Sequence, residues 1–211
     1  MAKRKHKTPK RKPLPDVRPA TVGLRIIGGT FRGRKLRYAG DLSVRPMKDR
    51  VREALFNLVG PSIKGKYALD LFGGTGALGL EAVSRGAVGA TFVELHYPTA
   101  RTLRENVESL AVAPICHIVV ADTFFWVEQT PLPDPRPWVV FISPPYEFFV
   151  SRLDDMLRLV ETMFSQSPAG SVLVVESDQR FDFERLVEPK SWNVRDYPPA
   201  RIGILRKQTI E

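Results

Sequence analysis

The stretch that decides the fold is residues 67–79, Tyr-Ala-Leu-Asp-Leu-Phe-Gly-Gly-Thr-Gly-Ala-Leu-Gly. It predicts a short buried strand over residues 67–72, a glycine loop over residues 73–76, and a helix directly after the loop. Glycine lets the backbone approach a ligand closely and adopt positive φ angles. The helix N-terminus offers unpaired N–H groups and partial positive charge, which suit an anion or a carboxylate. The pattern therefore predicts a ligand site built from a strand, a loop and a helix.

Two kinds of ligand fit this loop, and Asp70 discriminates between them. Residues 74–79 match the glycine fingerprint of dinucleotide sites, and Glu94 follows about 20 residues on, as that fingerprint expects. Asp70, however, is a charged side chain in an apolar strand. There it would repel a pyrophosphate and attract the cationic amino-acid end of S-adenosylmethionine. We predict an S-adenosylmethionine site, with a dinucleotide site and a structural turn as the alternatives.

The composition narrows the class of protein. The chain has 211 residues, enough for one sizeable core, so we expect one domain with appendages. Its single cysteine, Cys116, excludes a disulfide framework or a zinc cluster within one chain, and we expect no metal site. No apolar run approaches the length of a membrane span, and the basic N-terminus lacks a hydrophobic segment. We therefore expect a soluble, cytoplasmic protein with no membrane partner.

The net charge of +9 is unevenly distributed. Residues 1–52 hold 17 Lys or Arg and three acids, whereas residues 53–211 hold 15 Lys or Arg and 20 acids. This asymmetry predicts an N-terminal segment that binds a polyanion, attached to an acidic domain. Residues 1–22 are rich in Lys, Arg and Pro, so we expect a disordered tail that contacts nucleic-acid phosphates. A tail that only increases solubility is the alternative.

A second appendage, an RNA-binding hairpin and helix, is predicted over residues 23–60. Two short strands, residues 24–27 and 35–38, flank glycine turns, and a helix follows from about residue 46 to Gly60. Lys48 and Arg52 are four residues apart on its expected outer side, a repulsive pair that phosphate would neutralise. An edge hairpin whose charges prevent aggregation, and a solvated helix face, are the alternatives. The predicted RNA-binding residues are Arg25, Arg32, Arg34, Lys35, Arg37, Arg45, Lys48 and Arg52.

Strands and helices alternate through the remaining domain, residues 61–211. After the first strand, we predict strands over residues 90–94, 115–120, 138–142, 171–176, 193–197 and 202–206, and helices over residues 98–110, 153–164 and 183–187. Such alternation predicts an α/β fold in which a parallel sheet is covered on both faces and joined by right-handed crossovers. No second nucleotide-binding half follows, which weakens the dinucleotide interpretation.

Ligands of such sheets collect at the carboxyl ends of the strands. Glu94 closes the second strand and can accept hydrogen bonds from ribose hydroxyls, whereas Asp122 follows the third and can accept from an adenine amino group. Each is alternatively an ordinary acid at a strand end. The predicted cofactor-binding residues are Asp70, Phe72, Gly73, Gly74, Thr75, Gly76, Gly79, Glu94, Leu95, Asp122 and Thr123.

The fourth strand ends in Ser143-Pro144-Pro145-Tyr146. Two successive prolines after a buried strand make a stiff turn with a fixed backbone direction. Such a turn can hold a backbone carbonyl where an exocyclic amino group must be oriented, while the ring of Tyr146 stacks on a target base. We predict these four residues as the catalytic site, with a rigid loop as the alternative.

At these motifs the chain resembles the RsmD family of 16S ribosomal RNA guanine-N2 methyltransferases. The resemblance extends over about residues 24–206, outside the basic tail. It is carried by residues 70–82 with Ser84-Arg85-Gly86-Ala87, by Leu24-Arg25-Ile26-Ile27-Gly28-Gly29 with residues 33–36, and by Arg45-Pro46 with residues 49–57.

The resemblance implies a Rossmann-like class I methyltransferase fold with a seven-stranded, mostly parallel sheet, an antiparallel last strand and an N-terminal hairpin. It implies a monomer that transfers a methyl group from S-adenosylmethionine to the N2 amine of a guanine in 16S rRNA, on an assembling 30S particle. One position departs from the family, which has Asp or Asn where this chain has Ser143. The Ser143 hydroxyl accepts a hydrogen bond but carries no negative charge.

Three outcomes of this departure stay open at this stage: methyl transfer with a weaker acceptor, another substrate, or loss of activity. The alternatives are accordingly another amino methyltransferase, acting on adenine N6 or a protein glutamine, and a non-catalytic RNA-binding or ribosome-assembly protein that kept the fold.

Overall fold

The computed structural model describes residues 23–38, 47–129 and 134–208. Seven strands form one sheet: β1 (Tyr67–Asp70), β2 (Gly89–Val93), β3 (Cys116–Val119), β4 (Trp138–Ile142), β5 (Val172–Asp178), β6 (Asn193–Tyr197) and β7 (Ala200–Arg206). They lie in the order β3-β2-β1-β4-β5-β7-β6, and β7 runs in the direction opposite to that of the other six strands. The prediction of a seven-stranded, mostly parallel sheet with an antiparallel last strand is confirmed.

The helices alternate with the strands along the chain. They are α1 (Asp49–Val59), α2 (Ala77–Ser84), α3 (Tyr97–Ser109), α4 (Thr123–Gln129), α5 (Phe148–Ser151) and α6 (Leu153–Gln166). Short 3-10 helices occur at Gly60–Ile63, Ala113–Ile115, Phe183–Arg185 and Pro189–Ser191. None of the helices in these parts of the chain has the length and apolar character of a membrane span.

Helices cover both faces of the sheet, and successive residues of each strand point to opposite faces. On one face, Ala68 of β1 belongs to a core that includes Leu55 of α1 and Leu80 of α2. On the other face, Leu69 belongs to a core that includes Val160 of α6. Because both faces are covered, β4 is apolar and buried along its whole length. The carboxyl ends of the parallel strands are therefore the places where polar groups collect.

All seven strands predicted for the sheet are present, and their ends lie within two residues of the predicted ones. Helix α1 begins at Asp49 rather than at about residue 46, and residues 39–46, including Arg45, lie outside the described residues. The predicted tail, residues 1–22, also lies outside them. Helices α4 and α5 were not predicted, and the helix predicted over residues 183–187 is a 3-10 turn at Phe183–Arg185.

The N-terminal segment, residues 23–38, forms a ribbon that folds back on itself. Arg25 pairs with Lys35 in an antiparallel bridge, and Leu36 N donates to Leu24 O at 2.9 Å. The predicted hairpin is therefore present, but its pairing is one isolated bridge instead of two regular strands. We call this segment the ribbon.

Helix α2 holds the ribbon through a buried carboxylate. The side chain of Glu81 is fully buried, and its two oxygens accept hydrogen bonds from Ile27 N and Gly28 N, both at 2.7 Å. Arg85 Nε also donates to Glu81 Oε1 at 2.7 Å. Charged hydrogen bonds of this kind are stronger than neutral ones, so they fix the ribbon against the body of the protein.

The next residue of the ribbon has to be glycine. Gly29 has a φ of +75°, and a Cβ atom there would lie 1.9 Å from Ser84 O at the end of α2. The same carbonyl accepts a hydrogen bond from Thr30 N at 2.8 Å. The Ile-Ile-Gly-Gly motif thus allows the ribbon backbone to approach α2 closely.

Candidate active site

Polar side chains from four neighbouring strands meet at one edge of the sheet. Asp70 ends β1, Glu94 follows β2, Asp122 follows β3, and Ser143 follows β4. Because these strands are parallel and adjacent, their carboxyl ends lie side by side. The structure therefore brings together the four positions that the sequence predicted separately.

The glycine loop after β1 has a backbone that other residues could not adopt. Gly73 N donates to Val93 O at 2.8 Å, and Gly76 N donates back to Gly73 O at 2.7 Å, which closes the turn. Gly76 has a φ of +82°, and a Cβ atom there would lie 2.2 Å from Leu103 of α3. The loop is therefore tied to β2 and packed under α3, and its N–H groups lead into the start of α2.

Asp70 is a buried carboxylate with one satisfied oxygen. Its Oδ2 accepts a hydrogen bond from Gly79 N at 3.0 Å, and its buried Oδ1 has no hydrogen-bond partner among the described residues. Burial raises the pKa of Asp70 to about 7, and the charge of Glu94 adds to this effect, while the Gly79 bond opposes it. An unpartnered carboxylate oxygen of this kind fits a cation, such as the ammonium group of S-adenosylmethionine.

Glu94, which follows β2, accepts a hydrogen bond from the glycine loop. Its Oε2 accepts a hydrogen bond from Gly74 N at 2.8 Å, and its Oε1 accepts one from His96 N at 2.7 Å. Each oxygen keeps a lone pair, so the carboxylate can still accept from two ribose hydroxyls. Leu95, the next residue, is 65% exposed and offers an apolar surface beside this carboxylate.

Asp122 and Thr123 stand at the start of α4. Asp122 Oδ1 accepts from Phe124 N at 2.8 Å, and Oδ2 lies 3.7 Å from a guanidinium nitrogen of Arg152. The same guanidinium lies over the Phe124 ring, 4.0 Å from its centroid. Thr123 is buried, and its hydroxyl donates to Leu71 O. Thr123 therefore anchors α4 to β1, whereas Asp122 keeps an oxygen available for an amino group.

Phe72, the remaining predicted cofactor residue, belongs to an aromatic cluster. Its ring lies 6.1 Å from that of Phe124 and 6.2 Å from that of Phe148, both in edge-to-face geometry. The cluster forms an apolar wall next to the acids at the sheet edge. An apolar surface of this kind suits the face of a purine ring.

The turn after β4 contacts a carboxylate that the sequence analysis did not identify. Ser143 Oγ donates a hydrogen bond to Glu176 Oε2, and Tyr146 OH donates to Glu176 Oε1 at 2.7 Å. Ile142 pairs with Val175, so Ser143 and Glu176 are the next residues along these two parallel strands. Glu176 is 6% exposed.

The pKa values of this group follow from its burial. Burial raises the pKa of Glu176, and the hydrogen bonds from Ser143 and Tyr146 oppose that shift. Burial and the neighbouring carboxylate raise the pKa of Tyr146, so its hydroxyl stays protonated and donates. Glu176 could have been found in the sequence from the same signal as Asp70, a single acid at the end of an apolar run, Val-Leu-Val-Val.

Six of the predicted RNA-binding residues are exposed, and they fall into two groups. The side chains of Arg32, Lys35 and Lys48 are exposed and make no hydrogen bond or ion pair within the described parts of the chain. Three others are exposed but bonded: Arg25 Nε lies 3.1 Å from Asp49, Arg37 Nη1 lies 2.8 Å from Glu105, and Arg34 Nη2 donates to Ser109 O at 2.6 Å.

The prediction that Arg52 faces outward is wrong. Its side chain is completely buried, and its guanidinium donates to Met47 O at 3.1 Å, to Arg25 O at 2.6 Å and to Asp49 at 3.0 Å. Burial lowers its pKa, and the nearby carboxylates of Asp49 and Glu81 oppose the shift. Arg52 therefore joins α1 to the ribbon and presents no charge to solvent.

A buried asparagine connects the ribbon to the glycine loop. Asn106 of α3 is fully buried, and its Nδ2 donates to Arg37 O at 3.0 Å and to Thr75 O at 2.9 Å. Its Oδ1 accepts from Arg37 N at 2.7 Å. Asn106 was not predicted from the sequence, since a single polar residue in a helix has no distinctive pattern.

No group of three or more His, Cys, Asp or Glu side chains that could hold a metal ion occurs among the described residues. The sheet order, the glycine loop and the acids at the strand ends together define a class I S-adenosylmethionine-dependent methyltransferase.

Comparison with known proteins identifies the family within this class. The family model described as "Conserved hypothetical protein 95" matches residues 24–197. The chain belongs to this family, which is the RsmD family that the sequence motifs indicated.

Several relatives are similar over most of their length. Ribosomal RNA small subunit methyltransferase D of Escherichia coli K12 is 39% identical over 138 residues, which covers 65% of this chain and 67% of that protein. The Haemophilus influenzae protein of the same name is 34% identical over 81% of this chain and 86% of its own length. The solved structure of yhhF, a proposed methyltransferase from Escherichia coli, has a TM-score of 0.71 and 29% identity, covering 88% of this chain and 98% of that one.

Proposed function

We propose that this protein transfers a methyl group from S-adenosylmethionine to the N2 amine of a guanine in small-subunit ribosomal RNA. The observation that carries the proposal is the meeting of the Ser143–Tyr146 turn with Asp70 and Glu94 at one sheet edge. The relatives named ribosomal RNA small subunit methyltransferase D support the substrate class. We further propose that it acts as a monomer in the cytoplasm on assembling 30S particles.

The acids of the sheet edge hold the cofactor in this proposal. Asp70 Oδ1 accepts from the ammonium group, Glu94 accepts from the ribose hydroxyls, and Asp122 accepts from the adenine amino group, beside the wall formed by Phe72. S-adenosylmethionine supplies a methyl group on a sulfonium sulfur, so the N–C bond forms from the amine lone pair as the C–S bond breaks, and the amine then loses a proton to water. The chain's part is to orient the amine.

The turn after β4 positions the guanine. The N2 amine has two N–H groups, and its lone pair is delocalised into the ring, so both N–H groups must be held while the lone pair is directed at the methyl carbon. Ser143 Oγ and a backbone carbonyl of the Ser143-Pro144-Pro145 turn supply the acceptors. The ring of Tyr146 stacks on the extruded base, and its stiff proline turn keeps it in place.

In this proposal, basic side chains of the ribbon and of the start of α1 bind the RNA backbone. Arg32, Lys35 and Lys48 have no internal partner among the described residues, so their charges are available for phosphates. Phosphate contacts of this kind bring affinity without sequence specificity and weaken with salt. The target nucleotide is then selected by the pocket and by the shape of the ribosomal particle.

The test is an incubation of the purified protein with methyl-labelled S-adenosylmethionine and under-methylated small ribosomal subunits, followed by nucleoside analysis of the RNA. Label in N2-methylguanosine supports the proposal. Label in N6-methyladenosine, or in glutamine of a ribosomal protein, assigns the other amine substrates. Cofactor binding without any label assigns a non-catalytic RNA-binding role.

Two variants separate the parts of the site. Asp70→Ala should abolish cofactor binding in calorimetry, whereas Glu53→Gln, an exposed acid on α1, should leave it unchanged. The double charge reversal Arg32→Glu, Lys35→Glu should weaken RNA binding and leave cofactor affinity at the wild-type value. Normal cofactor affinity in the Asp70 variant would contradict the assignment of the cofactor site.

A further inference from the structure

Glu176 is a buried acid at the sheet edge to which the proposed function gives no role. It sits inside β5, is 6% exposed, and its two carboxylate oxygens are contacted by two different hydroxyls, those of Ser143 and Tyr146. Both hydroxyls belong to the turn that orients the target amine. A buried carboxylate without a cationic partner is costly, so its retention behind this turn calls for a physical explanation.

No positive charge compensates Glu176 within the described residues. Asp178, two residues further along β5, pairs with Arg180, which also pairs with Glu147 beside Tyr146. Arg201 of the adjacent strand β7 pairs with Asp196. The charge of Glu176 is therefore directed only at the two hydroxyls.

These contacts determine whether each hydroxyl donates or accepts a hydrogen bond toward the substrate. A serine or tyrosine hydroxyl has one proton to donate and lone pairs that accept. Because Ser143 and Tyr146 both donate to Glu176, their oxygens are left as acceptors. A hydroxyl that donates to a carboxylate also becomes a stronger acceptor, since hydrogen bonds in a chain polarise one another.

We propose that Glu176 is a positioning residue that makes the Ser143 hydroxyl the acceptor for the target amine. The Ser143 hydroxyl lies between the Glu176 carboxylate and the substrate. The negative charge of Glu176 polarises Ser143 Oγ and makes it a stronger acceptor for the target amine. It also fixes the hydroxyl of Tyr146, which holds the stacking ring in one orientation. This inference rests on the proposed function, because it assumes an amine substrate.

Five variants test the inference in the methylation assay. Glu176→Gln keeps the shape of the side chain and removes its charge, and we expect kcat to fall by about 100-fold, the loss typical of one aligned electrostatic contact. KM for the RNA and the cofactor Kd should stay at wild-type values. Ser143→Asp alone should also lower kcat, by about 10-fold or more, because it places two carboxylates in contact.

The combination of the two changes is the decisive measurement. Ser143→Asp in the Glu176→Gln background supplies a carboxylate directly to the amine and an uncharged amide behind it, so kcat should return to within about tenfold of wild type. A merely structural role for Glu176 predicts the opposite, a double variant that is worse than either single one. Glu147→Gln, which alters an exposed acid next to Tyr146, is the matched control and should leave kcat unchanged.

A second measurement covers the case in which Glu176→Gln does not fold. Ser143→Ala leaves Glu176 in place and removes only the hydroxyl, and kcat should fall by a similar factor with cofactor Kd unchanged. Wild-type kcat in Ser143→Ala, or in folded Glu176→Gln, overturns the inference and leaves the proposed function intact. A wild-type protein that methylates no small-subunit RNA overturns the proposed function, and the inference with it.

Discussion

Replacing Asp70 by Asn should stabilise the cofactor-free protein while it removes cofactor binding. Asp70 is fully buried, and its pKa is raised from 3.8 to about 7. Below this folded pKa the side chain is protonated in the folded protein, whereas above about 3.8 it is ionised in the unfolded chain. The folded protein therefore binds the extra proton between these values, and wild-type stability falls as the pH rises through this window.

The magnitude follows from the size of the shift. About 3 pKa units at 1.36 kcal/mol per unit correspond to a cost of about 4 kcal/mol above pH 7. Asn avoids this cost, but its amide nitrogen takes the position of the unpartnered Oδ1 and loses about 1–3 kcal/mol as a buried donor without an acceptor. The net gain in free energy of unfolding at pH 8 should be about 1–3 kcal/mol.

Urea unfolding of both proteins at pH 5, 6, 7 and 8 measures this difference. Other acids titrate alike in the two proteins, so their contributions cancel. The stability difference in favour of Asp70→Asn should grow by about 1.4 kcal/mol per pH unit up to about pH 7 and then stay constant. Glu53→Gln, which changes an exposed acid, should show no such trend. A pH-independent difference between wild type and Asp70→Asn would refute the reasoning.

Three further predictions concern the attachment of the ribbon. Glu81→Gln weakens three charged hydrogen bonds and should lower the free energy of unfolding by about 2–4 kcal/mol, with faster deuterium uptake in residues 26–31; unchanged uptake contradicts this. Gly29→Ala forces a Cβ atom against Ser84 O at positive φ and should cost more than about 1 kcal/mol in urea unfolding. Arg52→Met should lower thermal stability and leave RNA affinity unchanged, whereas Arg32→Glu should lower RNA affinity and leave thermal stability unchanged. Weaker RNA binding by a folded Arg52 variant contradicts its buried role.

The sequence predicted those features that have a local signature. Asp70 is recognisable because a charge inside an apolar strand is costly, and the turn after β4 because two prolines fix the backbone. Helix α4 was missed for the converse reason. Its seven residues include Phe124, Phe125 and Trp126, which are weak helix formers and favour strands, and Thr123 and Asp122 supply anchors that only the tertiary fold makes visible.

The misplacement of Arg52 has a different cause. Arg52, Phe56 and Val59 are spaced by four and three residues, so they share the buried stripe of α1. A charged side chain in that buried stripe is tolerated only where carbonyl groups outside the helix accept its hydrogen bonds. For Arg52 these acceptors are Met47 O and Arg25 O. Those acceptors come from tertiary contacts, and without them the charge of Arg52 favours an exposed position. Glu176 has the same local signal as Asp70, an acid at the end of an apolar run, but its contacts with Ser143 and Tyr146 come from the turn after β4 and only the structure shows them.

The distribution of charge gives the two halves of the proposed function a common physical basis. Asp70, Glu94, Asp122 and Glu176 gather negative charge at the sheet edge, so phosphate is repelled from the pocket. The ribbon carries the opposite charge and is fixed to the same body, because Asn106 bonds both to the ribbon and to the glycine loop. In the proposed function, the RNA backbone is therefore attracted to the ribbon and repelled from the acids at the sheet edge. An uncharged base is not repelled from that edge. In the proposed function, this separation of charge favours entry of an extruded base over entry of the RNA backbone, whichever base it is.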